Sequence, residues 1–230
     1  NFIDKNFERI NKISEHVAFI SDWTKKYYFT KKIKNKNFST ILIQADRGIF
    51  KLKNSYWYKK KSNIEIIAHH WSSNYYHKGF DRYLNLDNLL YKKKIKNIKF
   101  TIIGNVPIET RGKWKVAKII PPLHGKKLAN KIRSADIYLT GSRHEAGGNH
   151  VAEAVSCGLP IIYYKDAGGL KELCKEFGFL ATNDNILNII DKIKKNYSYT
   201  VCKLKKNHYL NSDKNMNELY YNLLKRNMKI

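Results

Sequence analysis

Asp136-Ile137-Tyr138-Leu139-Thr140, then Asn149-His150-Val151-Ala152-Glu153-Ala154-Val155-Ser156-Cys157-Gly158, then Pro160-Ile161-Ile162-Tyr163-Tyr164 reads as strand, helix and strand. The first and third runs are short, apolar and bounded by polar or turn residues, as buried strands are. The middle run predicts a helix from Asn149 to Cys157, with Gly158 where a helix stop belongs. Such a unit lays its two strands parallel, with the helix on one face of the sheet.

The same rhythm extends both ways. Ile64-Glu65-Ile66-Ile67-Ala68 predicts a buried strand, and a helix follows from about Lys78 to Lys93. Ile98-Lys99-Phe100-Thr101-Ile102-Ile103 predicts the next strand, closed by Gly104, and Gly125 to Ser134 a further helix. Downstream, Gly168 to Phe177 reads as helical. Repeated alternation of this kind specifies an α/β, Rossmann-like parallel sheet with helices on both faces. Ligands of such sheets bind beyond the carboxyl ends of the strands, so the strand-to-helix loops should carry the chemistry.

Residues 1–50 look like the tail of another α/β domain. Val17-Ala18-Phe19-Ile20 is a strand pattern, and Ser21-Asp22 offers an N-cap for a helix starting near Trp23. Thr40-Ile41-Leu42-Ile43 predicts another strand. The Lys-rich stretch at 51–62 reads as a linker, 63–200 as the sheet domain, and 201–230 as a C-terminal helix that packs back on the domains. In that helix Met216, Leu219, Tyr220, Leu223 and Leu224 recur at spacings of three and four. The chain opens at Asn1 without Met on residues that read as mid-domain, so an upstream part is expected.

The formal net charge is +25, from 44 Lys and Arg against 19 Asp and Glu. Such a surface attracts phosphate, whether in a nucleotide, a nucleic acid or an anionic lipid headgroup. Lys is nevertheless spread along the whole chain, which a compositional bias explains as well. The three cysteines form no close pair and no CxxC. That pattern suits a reducing, cytoplasmic compartment without structural zinc. No apolar run approaches the length of a membrane span.

The densest chemical signal is Ser142-Arg143-His144-Glu145-Ala146-Gly147-Gly148-Asn149-His150 leading into Glu153. Glycines without Cβ let a ligand approach the backbone, and a helix start favours an anion. Glu145 and Glu153 flank those glycines. Eight residues of continuous helix would separate them by roughly 12 Å, beyond the about 5–9.5 Å of paired glycosidase carboxylates. Two separate jobs, one at each end of an extended ligand, fit better.

Glu145, seven intervening residues and Glu153, followed by Cys157-Gly158-Leu159-Pro160, resembles the signature of family-4-type retaining glycosyltransferases (glycosyl transferases group 1) of the GT-B fold. Other segments resemble that family in order. They are His69-His70-Trp71-Ser72-Ser73-Asn74 with Lys78-Gly79-Phe80-Asp81, Ile103-Gly104-Asn105, Ile120-Pro121-Pro122-Leu123, and Asp166-Ala167-Gly168-Gly169-Leu170-Lys171-Glu172. The resemblance implies that the sheet domain is the C-terminal, donor-binding half and that residues 1–50 belong to an acceptor domain. It implies Glu145 and Lys78 as the catalytic pair. Glu145 would hold the donor sugar, and Lys78 would neutralise the departing diphosphate. It also implies donor contacts from Glu153 to the ribose, from the amides of Gly147, Gly148 and Asn149, and from Ser72 and Leu123. Ser72 stands where many relatives carry an Arg, and His70, Ser73 or a backbone amide would have to substitute.

The expected reaction is transfer, with retention, from a nucleoside-diphosphate sugar to a glycan, lipid-linked or protein acceptor. No cofactor and no obligatory metal are implied, and no nucleic acid is expected as partner. Peripheral contact with an anionic membrane would suit the basic surface. Two competing readings stand beside this one. A nucleic-acid module would use aromatics among cations, as in Tyr56-Trp57-Tyr58-Lys59-Lys60-Lys61. A non-catalytic donor-binding fragment would keep the motif without the reaction.

Overall fold

The computed structural model describes residues 2–33, 35–52, 62–174, 178–207 and 213–227. The chain opens with α1 (Phe2–Ile13), β1 (Val17–Phe19), α2 (Asp22–Thr30) and β2 (Phe38–Thr40). β1 and β2 pair in parallel, with Phe19 opposite Thr40. The Ser21 hydroxyl caps α2 by accepting from the Thr24 amide at 3.1 Å, as the sequence implied.

The second strand lies earlier than expected. Thr40 closes it, and the Ile41 amide bonds onward to the Phe19 carbonyl at 2.8 Å. β1 ends at Phe19, and Leu42 and Ile43 pack against the core of the large sheet. Most of the anticipated linker, 53–61, lies outside the described residues, and so does the Tyr56–Lys61 run.

The body of the molecule follows in order. It comprises β3 (Ile64–His70), α3 (Tyr75–Lys78), α4 (Phe80–Lys92), β4 (Ile98–Gly104), β5 (Lys118–Ile120), α5 (Gly125–Ser134), β6 (Ile137–Leu139), α6 (Asn149–Ser156), β7 (Ile161–Tyr164), α7 (Leu170–Cys174), β8 (Gly178–Ala181), α8 (Ile186–Lys195) and α9 (Tyr197–Asn207). The last helix is α10 (Asp213–Asn227), which leaves Leu219, Tyr221 and Leu224 exposed. Six strands form one parallel sheet in the order β5-β4-β3-β6-β7-β8.

Strand residues alternate faces, and the core divides accordingly. Ile67, Ile103, Tyr138 and Ile161 point to the side covered by α5, α6 and α7. Ile66, Ala68, Ile102, Ile137, Leu139 and Ile162 point to the side covered by α4, α8 and α9. Both faces are buried, which is why these strands read as continuous apolar runs.

From β3 the chain steps outward to β4 and β5, then returns to place β6 on the other side of β3. The order therefore reverses between β3 and β6. Open α/β sheets take ligands in the crevice beyond the carboxyl ends of the strands at such a reversal. His69, His70, Thr140 and the loop to α6 lie there.

Candidate functional site

The expected helix from Lys78 is broken at its start. Asn74 caps the single turn of α3 by accepting from the His77 amide at 2.9 Å. Gly79 then adopts a left-handed conformation (φ 67°), and α4 sets off in a new direction. This corner holds Lys78 at the crevice, with its Nζ 2.7 Å from Glu145 Oε2. About a fifth of each side chain stays exposed.

Glu145 is not on a helix. It lies in the loop between β6 and α6, bridged to Gly168 of the loop after β7. The Gly169 amide donates to the Glu145 carbonyl at 2.8 Å, and the His144 amide donates to the Asp166 carbonyl at 2.8 Å. His144 itself has φ 50°, a strained value for a side-chain-bearing residue. The helical-rise separation from Glu153 therefore does not apply, since only Glu153 sits on α6.

Two arginines hold this loop in place. Arg143 makes paired bonds to Asp81 at 2.7 and 2.6 Å and donates to the Tyr76 carbonyl at 2.9 Å. Arg82 makes paired bonds to Asp166 at 2.7 and 2.8 Å and donates to the Gly141 carbonyl at 2.8 Å. The Arg143 pair is a fork of two parallel bonds, which fixes orientation as well as distance, whereas Arg82 reaches both Asp166 oxygens from Nη2 alone. The Arg143 guanidinium holds the Asp81 carboxyl below its usual range. For Asp166, burial pushes the other way, but Arg82 outweighs it and its carboxyl is also lowered.

The glycine turn is tightly packed. Gly148 is buried, and a Cβ there would lie 2.0 Å from Leu170 Cδ2. Residues from the N-terminal segment press on the same turn. Ser21 Oγ donates to the Ala146 carbonyl at 2.6 Å, and a Cβ on Gly147 would meet Ile20 Cδ1 at 3.0 Å. The Glu172 carboxylate in α7 accepts from the Asp22 and Trp23 amides, both at 2.8 Å, at the start of α2. Asn149 is exposed at the first position of α6, and the Val151 and Ala152 amides bond to the Gly148 carbonyl.

Three imidazoles line the crevice between Lys78 and Glu153. His150 lies 5.2 Å from His70 and 6.1 Å from His69 by ring centroids, and its Nε2 is 3.1 Å from Thr140 Oγ1. Burial, then His70, His69 and Lys78, push its pKa well below the usual histidine value. Burial does the same to His70, helped by His69 and Lys78. Both rings are neutral at pH 7. His70 bonds to the Tyr83 hydroxyl, so it cannot stand in as the cationic phosphate clamp that the sequence left open.

At the far end, Glu153 Oε2 lies 2.8 Å from His69 Nε2. His69 Nδ1 in turn lies 3.1 Å from the Tyr138 hydroxyl. At the rim, Ser72 is exposed, and its hydroxyl accepts from the Asn74 amide at 3.2 Å. Leu123 is half-buried against the core beside α5. Trp71 stacks on His124 at 4.6 Å and 9°. Beyond them runs a groove of about 660 Å³ lined by Ser73, Asn105, Pro107, Ile120 and Pro121. Among the described residues, no group of three His, Cys, Asp or Glu side chains could hold a metal ion, and no helix is long and apolar enough to cross a membrane.

Lys78 and Glu145 thus meet directly. Glu153 is joined to a histidine the sequence had noted only as part of a motif, and Ser72 and Leu123 stand at the periphery. The Tyr138 hydroxyl and the two arginine–carboxylate pairs went unread. Tyr138 lies inside an apolar strand and looked like core, while Arg82 and Arg143 were two cations among many.

The family model described as glycosyl transferases group 1 matches residues 59–213, more than half of the chain. The chain belongs to this family. No curated protein matches it by sequence. HepE of Anabaena, solved with UDP and glucose, is similar in fold, with a TM-score of 0.76 at 17% identity. That match covers 97% of this chain and 67% of HepE. The GtfA/B complex gives 0.71 at 16% identity over 98% of this chain and 48% of that one. TarM gives 0.71 at 17% over 97% and 46%. The chain spans about half to two thirds of the length of these solved structures. The likenesses are of fold, and the fold is the Rossmann-like GT-B type.

Proposed function

We propose that the crevice binds a nucleoside-diphosphate sugar, and that the chain is the donor-binding half of a retaining glycosyltransferase. The observation that carries this reading is the spacing of charge around one glycine turn. A Lys–carboxylate pair, Lys78 with Glu145, stands at one end, and a histidine-held carboxylate, Glu153, stands at the other. Between them lie the amides of Gly147, Gly148 and Asn149 at the start of α6 and two neutral imidazoles.

An extended anion with hydroxyls at both ends fits this layout. Lys78 neutralises the diphosphate and stabilises charge as it leaves, which is where an oriented cation contributes most. Glu145 accepts from hydroxyls of the donor sugar, and Glu153 from those of the ribose. Ser72 and Leu123 border the phosphate and the base. No obligatory cation is needed, because Lys78 and the helix start already supply positive potential. HepE, solved with UDP and glucose, supports the choice of ligand class.

Retention follows from a front-face route. The acceptor hydroxyl, on a glycan, lipid-linked saccharide or protein, attacks on the side from which the phosphate departs. Residues 1–50 would then be the tail of the acceptor domain and 63–200 the donor domain; the helix expected over 201–230 is instead the end of α9 followed by a separate α10, and α10 would return across the two domains.

Calorimetric titration with UDP, GDP, ADP and CDP and their sugar conjugates tests the assignment. At least one should bind the intact chain, and Lys78→Ala and Glu153→Ala should each weaken it by roughly tenfold or more. No binding by the intact chain, or unchanged binding in both variants, rules the reading out.

A further inference from the structure

The bond between His69 and Glu153 has a direction. An ionised carboxylate only accepts hydrogen bonds, so the proton between them sits on His69 Nε2. In a neutral imidazole that makes Nδ1 an acceptor, and Nδ1 faces the Tyr138 hydroxyl at 3.1 Å. That hydroxyl accepts from the His69 backbone amide at 3.3 Å, and its own proton has two acceptors in reach, of which Nδ1 at 3.1 Å is nearer than the His69 carbonyl at 3.5 Å. The order is therefore Tyr138 O–H to His69 Nδ1, then His69 Nε2–H to Glu153 Oε2.

The three residues come from three elements: β6, β3 and α6. Tyr138 is 0% exposed and His69 1%, whereas the Glu153 side chain keeps 18%. The chain of bonds thus begins in the core and ends at the crevice. Water cannot substitute at its inner members. The backbone register of β3 on β6 sets it, with Ile67 opposite Tyr138, two residues before His69.

We propose that His69 is a positioning residue for the ribose, with Glu153 setting its tautomer and Tyr138 holding the ring through Nδ1. His69 fixes the rotamer of Glu153 and occupies one carboxylate oxygen, so the other oxygen is presented to the vicinal hydroxyls of a ribose. The inference rests on the nucleotide-sugar reading above and adds a device that tells a ribonucleotide from its deoxy form. A site built around a ribose hydroxyl rejects ligands lacking it, because a buried polar group is left without its partner.

The test compares UDP, GDP, ADP and CDP with the 2′,3′-dideoxy form of each, titrated into the intact chain. The unmodified protein should prefer the ribose form by roughly tenfold to a hundredfold, the range of a hydrogen bond to a charged group. His69→Ala should erase that preference while leaving affinity for the dideoxy form unchanged. His69→Gln, whose amide can replace the Nε2–H, should restore part of it. Tyr138→Phe, which removes the partner of Nδ1, should reduce the preference, and long-range ¹H–¹⁵N spectra of the unmodified protein should show His69 as the Nε2–H tautomer. Equal loss of both ligand forms in His69→Ala and Tyr138→Phe would mean a merely structural role and overturn the proposal. If Glu153→Ala loses the preference but His69→Ala keeps it, this inference fails and the site reading stands. If the intact chain binds none of the eight, the site reading falls and takes this one with it.

Discussion

Gly79 and Gly141 meet backbone to backbone. A Cβ built on Gly79 would lie 1.9 Å from the Gly141 carbonyl oxygen, and one on Gly141 would lie 2.7 Å from the Gly79 oxygen. The contact presses the corner between α3 and α4 onto the end of β6. Lys78 precedes one glycine and the loop to Glu145 follows the other, so this closeness lets the two side chains meet.

Gly79→Ala should therefore disturb both stability and the site. Its φ of 67° costs an Ala roughly 1 kcal/mol, and the clash is with backbone that cannot rotate away. Overpacking adds about 1–3 kcal/mol. Urea denaturation should show a loss of at least about 2 kcal/mol. A loss under about 1 kcal/mol would show that the corner can yield.

How legible was this in the sequence? β3, β4, β6 and β7 were, because strands buried on both faces leave unbroken apolar runs. The two edge strands were not. β5 has three residues beginning with Lys118, and β8 four beginning with Gly178, too short and too mixed for a period to show. The α3–α4 break was missed because a single glycine inside a helical pattern does not announce a left-handed turn. Glu145 and Glu153 were given separate jobs by a helical-rise argument that does not apply to a loop residue. The bonds of Tyr138 depend on which strands become neighbours, and local pattern carries no record of that.

Stability should fall below neutral pH because of two imidazoles, the buried His70 and the half-buried His150. His70 is held well below the usual histidine pKa first by burial and then by His69 and Lys78, and His150 first by burial and then by His70, His69 and Lys78. The unfolded chain protonates both near pH 6.5. Their stabilising contribution is thus complete above about pH 6.5 and drains away as the pH drops, because only the unfolded state takes up the protons. Each imidazole adds a slope approaching about 1.4 kcal/mol per pH unit. His150→Gln removes one proton's share while keeping a polar partner for Thr140. Urea titrations between pH 7 and pH 5 should give a shallower dependence for the variant, and an identical slope would contradict the argument.

The pair between Lys78 and Glu145 makes a less obvious prediction. With Nζ and Oε2 2.7 Å apart, a diphosphate must take Lys78 from a carboxylate that also repels it. Glu145→Gln keeps the shape and removes the negative charge. The variant should bind the preferred free nucleoside diphosphate roughly three- to tenfold more tightly, a modest gain because the pair is partly solvated. The same variant should lose most of the extra affinity that the sugar confers, because an amide oxygen accepts more weakly from sugar hydroxyls than a carboxylate does. Two calorimetric titrations, one with the diphosphate and one with its sugar conjugate, separate these effects. Weaker binding of the free diphosphate by Glu145→Gln would mean that Glu145 helps to aim Lys78 at the phosphate rather than competing for it.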